Sequence, residues 1–297
     1  MSAATVARRG PSAPTAPSIR PRRRPVQGED TAGCVLYSSR TMTDPLPPST
    51  VSVVIPVLDD AEHLRTCLTA LLAQTRPPDE IVVVDNGSID DSADVARQFG
   101  ARVVRESRRG IPAASSAGFD AATGSILARL DADCVPGERW LERVEEAMLR
   151  EPQPAAVTGP AAFHDGPAPL RYVGAFAYLG AYFALVGLAL GRPPLFGSNC
   201  AIRADAWASI SGDVHRHDSH LHDDMDVSLH LDPLWPVRFV PTVDMRISAR
   251  PFRSMSSLAT RFDRGLHTLR SHWPDEFPWR RILRRFNAAP PRRSPRF

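Results

Sequence analysis

Residues 51–85 read VSVVIPVLDDAEHLRTCLTALLAQTRPPDEIVVVD, and the order of patterns in this stretch decides the fold class. Val51-Ser-Val-Val-Ile55 is a short β-branched run stopped by Pro56, the composition of a strand buried on both faces. Leu64, Leu68, Leu71 and Leu72 then recur at helical spacing across 60–74. Pro77-Pro78 closes that helix, and Ile81-Val-Val-Val84 is a second buried strand. The alternation continues, with a helix over 89–99, a strand over Ala101–Arg105, a helix over Ala113–Ala122 and a fourth strand over Ser125–Leu130. Strands and helices alternating at this pace build βαβ units around a parallel sheet. Ligands of such sheets bind beyond the carboxyl ends of the strands, so the polar residues following each strand are the candidates for chemistry.

The 297 residues, 43% of them hydrophobic, suffice for one large α/β domain or two small ones. All 36 basic residues are arginine, and they are unevenly placed. Residues 1–50 hold seven Arg against three acids, residues 280–297 seven Arg and no acid, and the body between them carries a net charge of −8. An acidic body with basic ends excludes a nucleic-acid binder, which needs a basic face on the fold itself. The Pro- and Arg-rich residues 1–48 lack the apolar core of a signal peptide and are expected to be disordered, with Met42 a candidate start. Residues 280–297 are expected to form a basic disordered tail, able to touch an anionic membrane surface or simply to stay solvated. Cys34, Cys67, Cys134 and Cys200 lie far apart without metal or disulfide spacing, which points to a reducing cytoplasm and, with the basic tail, to a peripheral place at the inner face of the plasma membrane.

From Tyr172 to Gly191 there is no charge. A helix of that length, at about 1.5 Å per residue, could span a bilayer. Four glycines, five aromatic side chains and flanks that read as one domain argue instead for a helix buried in the core or lying flat at a membrane interface.

Three groups of acids carry the chemistry. The second strand ends in Val84-Asp85-Asn86-Gly87-Ser88, where Asp85 could accept hydrogen bonds from a ribose hydroxyl or a base N–H, or could close an Asx turn. The fourth ends in Leu130-Asp131-Ala132-Asp133. Acids at i and i+2 in extended chain point to one side, and their repulsion is relieved by a hard cation, Mg2+ or Mn2+, that bridges to phosphate. In Asp223-Asp224-Met225-Asp226, crowding should push at least one carboxyl pKa upward, as suits a general base; an acidic helix start is the plainer account.

Taken in order, Val51–Pro56, Val83-Val-Asp85-Asn-Gly-Ser88-Ile-Asp90, Arg109-Gly110 through Ala117-Gly118, Leu130–Asp133, Gly197-Ser-Asn199-Cys-Ala-Ile-Arg203 and Asp223-Asp224-Met-Asp226 resemble the motifs of family 2 glycosyltransferases. The resemblance covers roughly residues 51–255 and implies a GT-A fold: a Rossmann-like, mostly parallel sheet flanked by helices, with a nucleotide-sugar-binding half (49–135) and an acceptor and catalytic half (136–279). It implies inverting, metal-dependent transfer of one sugar from a nucleotide-sugar donor to a hydroxyl acceptor. Pro56, Asp59, Asp85, Asn86, Arg109 (or Arg108), Asp131, Ala132 and Asp133 are the implied donor-binding residues. Asp133, with Asp131, would hold the metal, and Asp224 would be the base, with Asp223 standing where Glu is usual. The usual aromatic-Asn-Glu after Pro56 is replaced by Val57-Leu58-Asp59-Asp60, and an Arg after the acidic motif by His230. No Gln-x-x-Arg-Trp motif follows, which argues against a processive synthase. The uncharged segment and basic tail suggest a lipid-linked or cell-envelope acceptor.

Two competing functions fit the residues less well. A sugar-phosphate nucleotidyltransferase would carry a Gly-rich basic loop after the first strand, where Pro56-Val-Leu-Asp-Asp stands. A non-catalytic nucleotide-sugar-binding membrane adaptor would have lost an acid from one of the three groups, and all are present. His215, His217, His220 and His222 invite a metal reading, but no Cys joins them, and a supporting role near the acceptor is expected. Arg250 or Arg253 could reach the diphosphate.

Overall fold

The computed structural model describes residues 49–151, 153–167, 170–250 and 255–287. The alternating half forms as its patterns dictate: β1 (Val51–Val57), α1 (Ala61–Leu72), β2 (Glu80–Asp85), α2 (Ser92–Gln98), β3 (Arg102–Arg105), α3 (Ile111–Ala121) and β4 (Ile126–Arg129). The four strands run parallel in the order β3-β2-β1-β4. Val53, Val54, Ile55, Val82, Val83 and Val84 are fully buried, with α1 and α3 packing against the sheet. Gly118 makes the α3 approach tight, since a Cβ there would fall 2.3 Å from Val54 Cγ1.

The chain then departs from strict alternation. It forms β5 (Val135–Pro136), α4 (Trp140–Leu149), β6 (Ala156–Thr158), β7 (Ala161–Phe163), a π-helical turn (Leu170–Gly174) leading into α5 (Ala175–Leu190), β8 (Cys200–Arg203), α6 (Ala204–Ile210) and α7 (Asp223–His230). β9 (Val237–Phe239), β10 (Met245–Ile247), α8 (Met255–Ser271) and α9 (Pro278–Asn287) complete it. β8 lies antiparallel beside β4, so the sheet extends as β4-β8-β6-β9; β5, β10 and β7 form a small second sheet. Reversing β8 brings the loop before it, Gly197–Asn199, to the end of the sheet where β4 terminates.

The uncharged segment forms the helix α5, with one side in the core and the other exposed. Ala175, Leu179, Val186 and Leu190 are buried, whereas Phe176, Leu185 and Leu188 are 81%, 65% and 73% exposed. Among the described residues no helix is long and apolar enough to cross a membrane. The basic tail expected from residue 280 is helical as far as Asn287. The Arg281 side chain is fully buried and donates to the carbonyls of Leu229 (2.7 Å) and Leu231, capping the C-terminal end of α7. Arginine-rich composition concealed an amphipathic period. The expectations for residues 1–48, Met42, Cys34, Arg253 and 288–297 fall outside the described residues; Cys67, Cys134 and Cys200 are free and buried.

Candidate functional site

The β1 and β2 ends form a self-bonded rim. Asp85 is buried, and its Oδ1 accepts from Ser88 N–H (2.9 Å), the Asx turn that Asn86-Gly87 favours. Asp59, at φ 50°, accepts from Ile89 N–H (2.7 Å). Asn86 donates to the carbonyls of Glu106 (3.0 Å) and Arg108 (2.6 Å) and accepts from Gly110 N–H (2.8 Å), so its amide pins the β3–α3 loop. Arg109 lies against this rim through the Gly87 carbonyl (3.1 Å), and Arg108 meets His217 (2.8 Å). Pro56 sits in β1 beside Val84.

β4 carries Arg129, 4% exposed in an otherwise apolar strand, and ends two residues before Asp131. The Arg129 guanidinium reaches Asp131 Oδ1 at 3.0 Å and Asp223 Oδ2 at 3.1 Å, joining the end of β4 to the first turn of α7. Ser198 Oγ donates to the other oxygen of Asp131 (2.5 Å), and Gly197 N–H to Asp224 Oδ2 (2.9 Å). Only glycine fits at 197, because a Cβ there would lie 1.8 Å from Arg129 Nη1. Ala132 is buried between the two acids of its triplet. Asp133 Oδ2 accepts from Arg250 (2.7 Å), whose guanidinium also grips Asp60 (2.6 Å), and the Asp133 carbonyl lies 3.2 Å from His164 Nε2.

Two of these carboxyls are pushed above the ordinary range. For Asp223 the cause is burial, reinforced by Asp224 and Asp131 and opposed by Arg129. For Asp133 it is burial, then Asp131, opposed by Arg250. Burial thus raises Asp223 first, and the crowding of acids expected for this motif adds to it. The ligating oxygens of Asp131 and Asp133 lie close enough to share one cation, within 4.8 Å of each other and of the Cys134 sulfur. A cavity of about 850 Å³ opens onto Asp131, Asp223 and Asp224 and is walled by Tyr178, Tyr182 and Leu185 of α5 and Leu258 and Phe262 of α8.

The geometry therefore brings Asp131, Asp133, Asp223 and Asp224 to one end of the sheet and sets Asp59, Asp85, Asn86 and Arg109 along its rim. Residues 52–207 match the sequence profile of Glycosyl transferase family 2.

The chain belongs to that family.

Its relatives include glycosyltransferase AglE of Haloferax volcanii, 43% identical over 110 residues (34% of this chain, 36% of AglE). The PGL/p-HBAD biosynthesis glycosyltransferase of Mycobacterium bovis is 39% identical over 88 residues (28% of this chain, 34% of that protein). The matched stretch thus spans about a third of the length of these curated relatives. Two family-like folds superpose on most of the chain. The mannosyltransferase PcManGT of Pyrobaculum calidifontis, solved with GDP-Man and Mn2+, gives a TM-score of 0.57 at 20% identity, over 82% of this chain and 71% of that one. Glucosyl-3-phosphoglycerate synthase of Mycobacterium tuberculosis gives 0.53 at 20% identity, over 75% and 80%. The fold is GT-A, as the family motifs imply.

Sequence reasoning passed over Arg129, Gly197 and Ser198 as site residues. A lone arginine inside the buried run Ile126-Leu-Ala-Arg-Leu130 was the available signal, because such a charge must be paired. Of the four histidines before α7, His217 meets Arg108, and His222 lies 2.8 Å from the Arg261 carbonyl. His220 packs near His267, and only His215 joins a cluster of ligating side chains.

Proposed function

We propose that this protein transfers one sugar from a nucleoside-diphosphate sugar to a hydroxyl acceptor, with inversion at the anomeric carbon. One observation carries the reading: Arg129 ties the Asp131–Asp133 end of β4 to the Asp223–Asp224 turn of α7 at the mouth of the 850 Å³ cavity. Asp131 and the base candidate Asp224 therefore face one space large enough for a sugar and part of an acceptor.

Asp131 and Asp133 fit a hard divalent ion, since both offer carboxylate oxygens and the pair gathers positive charge, Arg129 reaching Asp131 and Arg250 reaching Asp133. Bound there, Mg2+ or Mn2+ would offset the charge developing on the departing nucleoside diphosphate. The rim set by Asp85, Asp59, Arg109 and Pro56 is where the nucleoside would lie, and Arg250 is placed to turn from Asp133 toward a phosphate. Asp224, held by Gly197 N–H, takes the proton of the acceptor hydroxyl as its oxygen attacks the anomeric carbon. The sugar–phosphate bond breaks on the opposite face, so a single displacement inverts the carbon and no covalent sugar–enzyme intermediate forms.

The apolar cavity wall from α5 and α8 suits an acceptor with a hydrocarbon portion, such as a lipid-linked glycan. Exposed Trp279, Ile282 and Leu283 on α9 and Leu185 and Leu188 on the adjacent α5 suit peripheral contact with a membrane.

The test pairs binding with turnover. Thermal-shift titration of UDP-, GDP- and dTDP-sugars with and without Mn2+ should find one donor that raises Tm only with metal. Asp224→Asn should keep that shift yet lose about 10²–10⁴-fold in kcat with the same donor. Survival of full turnover in that variant would remove Asp224 as the base, and a screen in which no nucleotide shifts Tm with metal present would remove the donor site.

A further inference from the structure

Two residues beyond Asp224 on the same helix, Asp226 is 2% exposed, and three imidazoles converge on it. His215 Nδ1 lies 2.7 Å from Asp226 Oδ1, His272 Nε2 3.1 Å and His230 Nδ1 3.4 Å from the same oxygen. His272 Nε2 is also 3.5 Å from His230 Nδ1. The ring centroids stand 4.9–5.2 Å apart at 54–76°, so the rings are splayed around a centre and not stacked. A tetrahedral ion with bonds of about 2.0–2.1 Å needs ligand atoms about 3.3 Å from one another; the 3.1, 3.4 and 3.5 Å spacings match, and His215 would draw back from its 2.7 Å contact to admit the ion.

Hydrogen-bond accounting points the same way. His272 Nδ1 is 2.8 Å from the Thr268 carbonyl, which can only accept, so this nitrogen carries the hydrogen. Nε2 then faces a carboxylate oxygen and a second imidazole nitrogen, a position filled either by a proton of its own or by a cation shared among the three groups. A backbone carbonyl that fixes the tautomer of a histidine is the usual outer support of a metal ligand. Asp226 has such support too, its second oxygen accepting from His215 N–H at 2.8 Å. By the same accounting His230 Nδ1, 2.9 Å from the Asp226 carbonyl, carries a hydrogen in the metal-free protein, so binding the ion there would require the ring's hydrogen to move to Nε2 and this contact to be given up.

We infer that His215, Asp226, His230 and His272 form a four-ligand tetrahedral site for a divalent ion of the zinc class, separate from the Asp131–Asp133 pair. Three imidazoles select such an ion over Mg2+, and four protein ligands leave no open position, so the site is structural. The ligands come from the loop before α7, from α7 itself and from the end of α8. The ion would lock α8 and this loop onto the helix whose first turn carries Asp223 and Asp224. The His215 side chain is 40% exposed and marks the way in.

Full-length protein, stripped with chelator and titrated with Co2+ alone, should take up one equivalent with the intense visible bands of tetrahedral Co2+. Zn2+ should displace it, and either ion should raise Tm. His215→Gln, on the half-exposed loop, and His272→Gln should each weaken Co2+ binding at least roughly 100-fold, more than losing an outer-shell partner costs. Unchanged circular dichroism would verify that they are folded. Asp133→Asn should leave the bands intact. Absence of tetrahedral bands in the folded wild type, or bands abolished by Asp133→Asn but kept in His272→Gln, would overturn the assignment. Because the readout is spectroscopic, it stands or falls independently of sugar transfer.

Discussion

Arg129 Nη1 lies 3.1 Å from Asp223 Oδ2, a buried ion pair linking a central strand to the helix that carries the acidic motif. The same guanidinium holds Asp131, so one cation offsets acids from both sides of the site. Removing one member of such a buried cluster strands the others, at a cost of about 3–5 kcal/mol. Arg129→Met should therefore lower Tm by several degrees or more and abolish transfer. Arg129→Lys keeps the charge but not the planar fork, so it should recover much of the stability and little of the activity. Thermal denaturation and kcat/KM on the same preparations decide it; full activity in the Lys variant would show that the two-pronged geometry is dispensable.

Gly197 predicts a sharper contrast. A Cβ at 197 would occupy the place of the Arg129 guanidinium, so Gly197→Ala should destabilise the fold by several kcal/mol through overpacking and cut transfer at least tenfold. Gly180, within α5, meets nothing within 4 Å. Gly180→Ala should be neutral or stabilise by about 0.5–1 kcal/mol, by the helix preference for alanine. Chemical denaturation of the two variants beside wild type tests the pair, and equal losses would refute the steric account.

The β1–β4 half was legible because parallel strands buried on both faces are written as β-branched runs, and acids after such runs stand at the end of the sheet where ligands of such folds bind. The rest was hidden for physical reasons. β6, β8 and β9 are three or four residues long and leave no run to read, so the antiparallel placement of β8, and with it the approach of Gly197 and Ser198 to Asp131, could not be foreseen. Arg129 and Asp223 become partners only when that sheet is assembled. Proximity in sequence groups His215 with His217, His220 and His222, where the lack of a Cys argues against a metal, while the fold sets His215 beside Asp226, His230 and His272, a grouping no sequence spacing discloses.

Glu80 lies at the end of the sheet opposite Asp131, so its part in acid sensitivity is separable from catalysis. Glu80 begins β2 and accepts from Ser52, from the backbone and hydroxyl of Thr123 and from Arg102. Burial works to raise its pKa, but these donors together outweigh it and hold the carboxyl at about 2, against 4.5 for a free one. A depressed carboxyl contributes its stability above the unfolded value and loses it as pH falls through the folded one. The difference in unfolding free energy between wild type and Glu80→Gln should thus be full above pH 4.5, at roughly 3 kcal/mol or less, and shrink toward pH 2. Urea denaturation across that window measures it, and a difference that does not change with pH would exclude this carboxylate as the source.

The last prediction concerns the surface formed by α5 and α9. Trp273, Phe277 and Trp279 stack in series, with centroids 4.8 and 4.3 Å apart, and Trp279 is 56% exposed. Arg280 and Arg284 stand beside them, paired with Asp275 and Glu276. Aromatic rings with a polar edge favour the membrane interface, and nearby arginines favour anionic lipid. The protein should float with vesicles of anionic phospholipid and less with neutral ones. Trp279→Ala combined with Leu283→Ala should weaken flotation at least tenfold while leaving the donor-induced shift unchanged and lowering Tm by no more than the lost stack on Phe277 accounts for. Raising salt should weaken but not abolish binding if the aromatic insertion dominates. Flotation indifferent to the double substitution would move the contact elsewhere, and no flotation on any vesicle would end the peripheral-membrane reading.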